Sequence, residues 1–143
     1  MTSNILPDPY HASASTEYDA SWQAWNAFQG TTTTAWGASA GNKTGWLKID
    51  LGFAGIATRY ILKAHPSYYT LAPKDFTFKG STNDSSWDTL DTQTGQTFNA
   101  GAPTHTYDFS NTNPYRYYLL DITDITAVSG EITLGELEIM NEP

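Results

Sequence analysis

The 143-residue chain contains no cysteine. That excludes a disulfide framework, a thiolate metal site and a cysteine nucleophile, and it leaves the compartment open. Charge is scarce: Asp, Glu, Lys and Arg make up 15% of the residues, against about 25% in an average globular protein. Positive charge is scarcest, with 7 Lys and Arg against 15 Asp and Glu and a net charge of −8. Sequence-independent nucleic-acid binding needs clustered Lys and Arg to displace phosphate counterions, so this chain is not expected to bind nucleic acid. The same deficit argues against anionic membrane surfaces, and no apolar run approaches the ~20 residues of a membrane span, so no membrane insertion is expected. The opening residues Met1-Thr2-Ser3-Asn4-Ile5-Leu6-Pro7 lack the basic and apolar regions of a signal peptide. The expectation is a chain that acts without that export route, or a module of a longer protein. Catalytic signatures are missing too. His11, His65 and His105 are scattered, and there is no H-E-x-x-H and no G-x-S-x-G. A non-enzymatic protein is expected.

What is present is an aromatic-rich globular chain. Hydrophobic residues are 39% and aromatics 14%, with 5 Trp, 9 Tyr and 6 Phe. This is ample for one packed core and rules out wholesale disorder, while two cores would be cramped, so one domain is expected over residues 1–143. Thr, Ser and Asn supply a neutral polar surface. Gly (11) and Pro (7) punctuate the whole length, and alternation of period two dominates between them. Leu47, Ile49 and Leu51 share one face of Trp46-Leu47-Lys48-Ile49-Asp50-Leu51-Gly52, and Phe76 and Phe78 share one face of Asp75-Phe76-Thr77-Phe78-Lys79. The aromatics of Thr104-His105-Thr106-Tyr107-Asp108-Phe109 alternate with polar groups. Tyr115-Arg116-Tyr117-Tyr118-Leu119-Leu120-Asp121-Ile122 is apolar on both faces and predicts a central strand, and Glu131-Ile132-Thr133-Leu134-Gly135-Glu136-Leu137-Glu138-Ile139 predicts a closing strand. Only Trp22-Gln23-Ala24-Trp25-Asn26-Ala27-Phe28 predicts a helical turn. The pattern is that of an all-β antiparallel sandwich or jelly roll. Its loops, at 37–44, 64–73, 80–86 and 124–130, are where a rigid scaffold would display function.

Five segments in order resemble one family. Ala27-Phe28-Gln29-Gly30-Thr31-Thr32-Thr33-Thr34-Ala35-Trp36 resembles its A-F-D-G-x-x-x-T-x-W, and Trp46-Leu47-Lys48-Ile49-Asp50-Leu51-Gly52 its W-x-x-I-D-L-G. The run from Pro73-Lys74-Asp75-Phe76 through Gly80-Ser81-Thr82-Asn83-Asp84-Ser85-Ser86-Trp87 resembles P-x-x-F-x-x-x-G-S-x-D-G-x-x-W. Tyr115-Arg116-Tyr117-Tyr118-Leu119 is similar to Y-R-Y-Y-R-L, and Leu134-Gly135-Glu136-Leu137-Glu138-Ile139 to the closing x-x-E-L-E. Together they resemble the coagulation factor 5/8 type C, or discoidin-like, domain of the galactose-binding-like fold, the group that includes carbohydrate-binding module family 32. The wording of residues 73–98 is especially similar to copies in bacteriophage tail and appendage proteins. The resemblance implies a jelly-roll sandwich of about eight strands, a sugar gripped by loops, and often a structural Ca²⁺. Animal members usually carry a terminal disulfide, so its absence favours the microbial or viral branch.

The resemblance also implies site residues. Calcium wants six to eight oxygens. Thr34 and Glu136 match the family's ligand positions, while Gln29 stands where the family has Asp and so loses a charge. The alternative is a metal-free loop held by Thr hydrogen bonds and turn chemistry. A pyranose has an apolar C–H face and a fan of hydroxyls, so its site wants an exposed aromatic platform and a few fixed polar groups. His65, Tyr68 and Tyr69 lie in a loop that carries contacts in related modules, with Tyr68 or Tyr69 as platform. Ser39 and Asn42 lie in a second such loop, and Ser129 and Glu131 in the loop before the last strand. The alternative for His65 is a turn-capping role. Trp36, Trp46 and Trp87 fall on the family's packing positions and are expected in the core, with Trp22 and Trp25 stapling the N-terminal segment. Arg116 is expected to stack or pair within the protein. The function implied is a non-catalytic carbohydrate-binding adhesion module recognising cell-surface or polysaccharide glycans, galactose-type among them. It would sit on a phage virion or tail, or extracellularly on a larger bacterial glycan-acting protein. The alternative is a structural or decoration domain that mediates protein–protein assembly and has no sugar site.

Overall fold

The computed structural model describes residues 10–101 and 104–141; residues 1–7, which bear on the signal-peptide expectation, lie outside them. Ten strands appear among the described residues, two of them only two residues long. They are β1 (His11–Ala14), β2 (Trp36–Gly37), β3 (Gly45–Gly55), β4 (Arg59–Lys63), β5 (Pro73–Ser81), β6 (Asp88–Gln93), β7 (Thr104–Asp108), β8 (Tyr115–Ile125), β9 (Thr133–Leu134) and β10 (Glu136–Met140). Two short 3₁₀ turns, Ala24–Phe28 and Tyr69–Leu71, complete the fold. The expected helical turn is thus the first of these.

The strands form a five-stranded sheet in the order β1-β3-β8-β5-β6, a three-stranded sheet β10-β4-β7 and a two-stranded ribbon β2-β9. Every pairing is antiparallel. The strand expected at the centre, β8, lies between β3 and β5. Its inner face contributes Tyr118, Leu120 and Ile122 beside Leu47 and Ile49 of β3 and Phe76 and Phe78 of β5. Tyr60 and Leu62 of β4, Tyr107 of β7 and Leu137 of β10 face them from the second sheet. The two sheets meet through an aromatic layer: Tyr60 stacks on Phe78 at 4.3 Å and on Tyr107 at 4.9 Å between ring centroids. Each such buried ring contributes about 1.5–3 kcal/mol by leaving water. The Tyr60 hydroxyl donates to Asp91 Oδ2 at 2.6 Å and the Tyr118 hydroxyl to the Gly55 carbonyl at 2.6 Å, so the polar tips are satisfied as well.

The closing segment differs from its expectation. It is two strands broken at Gly135, because an ideal Cβ there would lie 2.9 Å from the Lys63 carbonyl oxygen. The chain passes β4 too closely for any side chain, and its halves take different partners: β9 pairs with β2 and β10 with β4. This split carries Thr133 to one side and Glu136 to the other, toward two different loops.

The tryptophans also divide. Trp36 is fully buried, as expected. Trp46 and Trp87 are only half-buried. They line a groove with Lys48, Lys79, Leu119 and Asp121 on the outer face of the five-stranded sheet, rather than the core. The pleat explains this for Trp46. Its neighbour Leu47 points into the core, so Trp46 must point out.

Candidate functional site

The loop at 18–22 is laid over β2. The Tyr18 N–H donates to the Gly37 carbonyl at 2.8 Å, and the Gly37 N–H donates back to the Trp22 carbonyl at 3.2 Å. Across from it, the loop at 65–71 closes by turns: the Tyr68 N–H donates to the His65 carbonyl at 3.2 Å and the Leu71 N–H to the Tyr68 carbonyl at 3.0 Å. Between these loops and the β2-β9 ribbon lies a cleft of about 230 Å³ lined by Tyr18, Trp22, Gly37, Tyr68, Leu71, Glu131 and Thr133. One wall is backed by Gly130, whose φ of +115° lies outside the range of ordinary side chains and where a Cβ would lie 2.8 Å from Leu71 Cδ2.

The rings in this region form a continuous group. Trp22 and Tyr68 meet edge to face at 5.7 Å between centroids, Trp22 and His65 at 5.8 Å, and His65 and Tyr68 at 4.9 Å. Tyr18 and Tyr68 stay about half exposed, at 49% and 45%. For Tyr68, a large aromatic within this ring network, that is unusual, because the ordinary way to satisfy such a ring is burial. His65 Nδ1 accepts the Ser67 N–H at 3.0 Å, so the ring caps its turn with one nitrogen and, when neutral, carries its proton on Nε2. Burial holds its pKa below the ordinary 6.5, which keeps the ring neutral at neutral pH.

The sugar-site candidates therefore separate. Tyr68 and Glu131 line the cleft, and His65 packs on two of its rings. Tyr69 begins the 3₁₀ turn and packs against the core, so of the two tyrosines Tyr68 is the one presented. Ser39 and Asn42 are tied to each other, Asn42 Nδ2 donating to Ser39 Oγ at 2.7 Å, in the turn next to Glu131. Ser129 is exposed beside Gly130 and does not line the cleft. Tyr18 and Trp22 were not expected here. Trp22, expected to staple the N-terminal segment, lines the cleft, whereas Trp25 packs against the core. The pairing of residues 18–22 with β2 has no signature in the local sequence. Arg116 pairs with Asp50 at 2.8 Å and lies over the Tyr117 ring, remote from the cleft.

The three calcium candidates do come together: Gln29 and Thr34 lie between the first 3₁₀ turn and β2, and Glu136 at the start of β10 reaches the same loop. Glu136 is buried, 3% exposed, and both its oxygens accept the Gly30 N–H at 2.9 and 3.0 Å. Gln29 Nε2 donates to Asn26 Oδ1 at 2.9 Å and to Thr34 Oγ1 at 3.2 Å. This set does not fit a calcium shell. It holds one carboxylate, and the Gln29 side chain turns N–H groups toward the Thr34 hydroxyl where a cation would need oxygens. No group of three or more His, Cys, Asp or Glu suited to a metal occurs among the described residues. The side chains of the loop bond to one another, and burial raises the Glu136 pKa to about 7.

Comparison with known proteins agrees with this architecture. The F5/8 type C family model described as a NedA-like, galactose-binding domain matches residues 26–120. No curated protein sequence matches the chain. A family 32 carbohydrate-binding module from Clostridium perfringens, solved in complex with GalNAc-β-1,3-galactose, superposes with a TM-score of 0.79 at 14% identity over 92% of this chain and 94% of that one. Chitosan-binding module 1 of the chitosanase/glucanase from Paenibacillus sp. IK-5 superposes with a TM-score of 0.77 at 22% identity over 91% and 93%. Module 2 of the same enzyme, in complex with chitotriose, gives 0.76 at 19% over 97% and 100%. At such identities these structures establish the fold, while the family match covers well over half of the sequence. The chain belongs to the F5/8 type C, galactose-binding domain family.

Proposed function

We propose that this domain is a non-catalytic carbohydrate-binding module and that its glycan docks in the cleft between the loops at 18–22 and 65–71. The observation that carries the reading is the pair of half-exposed tyrosines, Tyr18 and Tyr68, held beside Trp22 over a cleft that also presents Glu131 and Thr133. A sugar ring stacks its C–H face on Tyr68 while Glu131, Thr133 and the His65 Nε2–H meet hydroxyls. The structural relatives whose complexes hold GalNAc-β-1,3-galactose and chitotriose support a glycan as the ligand class. A shallow site of this size gives weak binding, so useful avidity comes from several copies displayed together. The module fits an adhesive role on a phage virion or on a larger bacterial glycan-acting protein. A glycan-array screen followed by titration tests the reading. Binding lost on replacing Tyr68 and Trp22 supports it; no glycan bound by wild type sinks it.

A second reading has an observation of its own. A groove of about 410 Å³ is lined largely by apolar side chains, among them Phe53 and Ile56, which are 50% and 40% exposed. Exposed apolar side chains around a groove of this kind suit a protein–protein contact, as in a structural or decoration domain.

A further inference from the structure

We infer that the cleft selects cationic amino sugars, hexosamines with a free amine, with Glu131 as the residue that reads the ammonium group. The inference rests on the carbohydrate-binding reading of that cleft and adds the ligand's charge. Glu131 is the one carboxylate among the lining residues, and no lysine or arginine lines the cleft. On the protein side Glu131 accepts a single long contact, from the Gly41 N–H at 3.4 Å. It has no ion-pair partner among the described residues. Lys43, one residue beyond Asn42 in the neighbouring loop, is bound to Asp124 at 2.9 Å, and Lys74 joins the same carboxylate at 3.3 Å. Those cations are therefore committed elsewhere.

The remaining groups point the same way. Nothing lining the cleft carries positive charge, and the His65 ring beside it is neutral at neutral pH. The faces of Trp22 and Tyr68 carry negative quadrupole density, which attracts a cation near the ring. The chain as a whole carries −8, so the surrounding field attracts cations and repels uronates. A 2-amino-2-deoxy pyranose answers each feature. Its C–H face stacks on Tyr68, its hydroxyls meet Thr133 and His65, and its ammonium donates a charge-assisted hydrogen bond to Glu131. N-acetylation would remove the charge and leave Glu131 facing a neutral amide.

The test is titration of the intact domain with a glucosamine trimer and its fully N-acetylated counterpart, at a pH of about 6, below the ordinary range of an amine. Wild type should bind the free-amine trimer roughly tenfold more tightly, the size expected for one charge-assisted hydrogen bond. In Glu131→Gln that preference should vanish, the free-amine trimer falling to the affinity of the acetylated one. Raising salt from about 0.05 to about 0.5 M should weaken only the free-amine trimer in wild type, a readout that needs no substitution. Equal binding of the two trimers by wild type, a preference for the acetylated one, or a preference that survives Glu131→Gln would overturn the inference. Binding of a neutral galactoside with neither trimer bound would overturn it while leaving the carbohydrate-binding reading intact. Failure to bind any glycan would remove both.

Discussion

Glu136 offers a sharp test of the reading of the calcium-type loop. It opens β10, is almost wholly buried, and holds the Gly30 amide with both oxygens. Burial raises its pKa from 4.5 to about 7; the Gly30 N–H works against this, the Glu138 charge adds to it, and Lys63 and the Thr31 N–H again oppose it. The folded state therefore holds this proton more tightly than the unfolded chain. Between about 4.5 and about 7 the folded protein keeps the proton while the unfolded chain releases it, so stability falls as pH rises through that window. At 1.36 kcal/mol per pKa unit the gap amounts to about 3 kcal/mol, fully expressed above about pH 7. Glu136→Gln keeps a carbonyl oxygen for the Gly30 N–H and removes the ionisation. His65 and His105 also titrate near this range, with pKa values lowered by burial. Their contribution has the opposite sign, rising with pH, but it is common to both proteins. The quantity to measure is thus the difference between variant and wild type in urea unfolding free energy, at several pH values from about 5 to about 8 with EDTA present. That difference should move in the variant's favour by about 1–3 kcal/mol across the range. Parallel pH profiles for the two proteins would refute the reasoning and return Glu136 to the ranks of ordinary ionised carboxylates.

Further outcomes follow from the same geometry. Millimolar Ca²⁺ should leave the wild-type melting temperature where EDTA leaves it, whereas Gln29→Asp places a second carboxylate near Glu136 and should make the melt calcium-dependent; a wild-type rise with Ca²⁺ would show that the Gln29 amide turns its oxygen inward. Trp36→Ala should cost about 3–5 kcal/mol by opening a core cavity, while Trp87→Ala, on the outer groove, should cost about 1 kcal/mol; chemical denaturation showing equal losses would contradict the assignment of faces. On the acid side, Arg116 lowers the Asp50 pKa, and Lys43, aided by the Ile125 N–H and Lys74, holds Asp124 at about 2. Their stabilisation is present above the ordinary carboxylate range and is lost as pH falls through the lowered values, so Asp124→Asn should blunt acid unfolding below about pH 4.

Much of the sandwich was legible because its strands obey the alternation that burial on one face demands. Phe76 and Phe78 announced β5, and the two-faced apolar run at 115–122 announced the middle of the larger sheet. The β6 strand, Asp88–Gln93, carries no apolar stripe, because it is an edge strand that pairs only with β5. Nothing in its own residues distinguishes it from a polar loop. The break at Gly135 was hidden for a related reason: it is set by the approach of the Lys63 carbonyl, dozens of residues away. The outward place of Trp46 is legible in the sequence, since alternation with the buried Leu47 and Ile49 puts it on the opposite face. At the cleft, the loop holding His65 and Tyr68 could be singled out by its composition. The choice between Tyr68 and Tyr69 could not, because a single 3₁₀ turn decides which ring meets solvent. Tyr18 and Trp22 were out of reach, since an aromatic in an irregular segment has no period to show which surface it will cover.

The cleft framed by Tyr18, Trp22 and Tyr68 is the proposed glycan-binding surface. Its most direct test is titration of wild type and Tyr68→Ala against the best ligand from a glycan array, with melting curves showing that both proteins are folded. Tyr68 is half exposed, so its loss should leave the melt nearly unchanged while weakening binding by about 2 kcal/mol or more, at least ~30-fold, as expected for a central stacking aromatic. Equal affinity in two folded proteins would contradict the account and place the binding surface elsewhere on the domain.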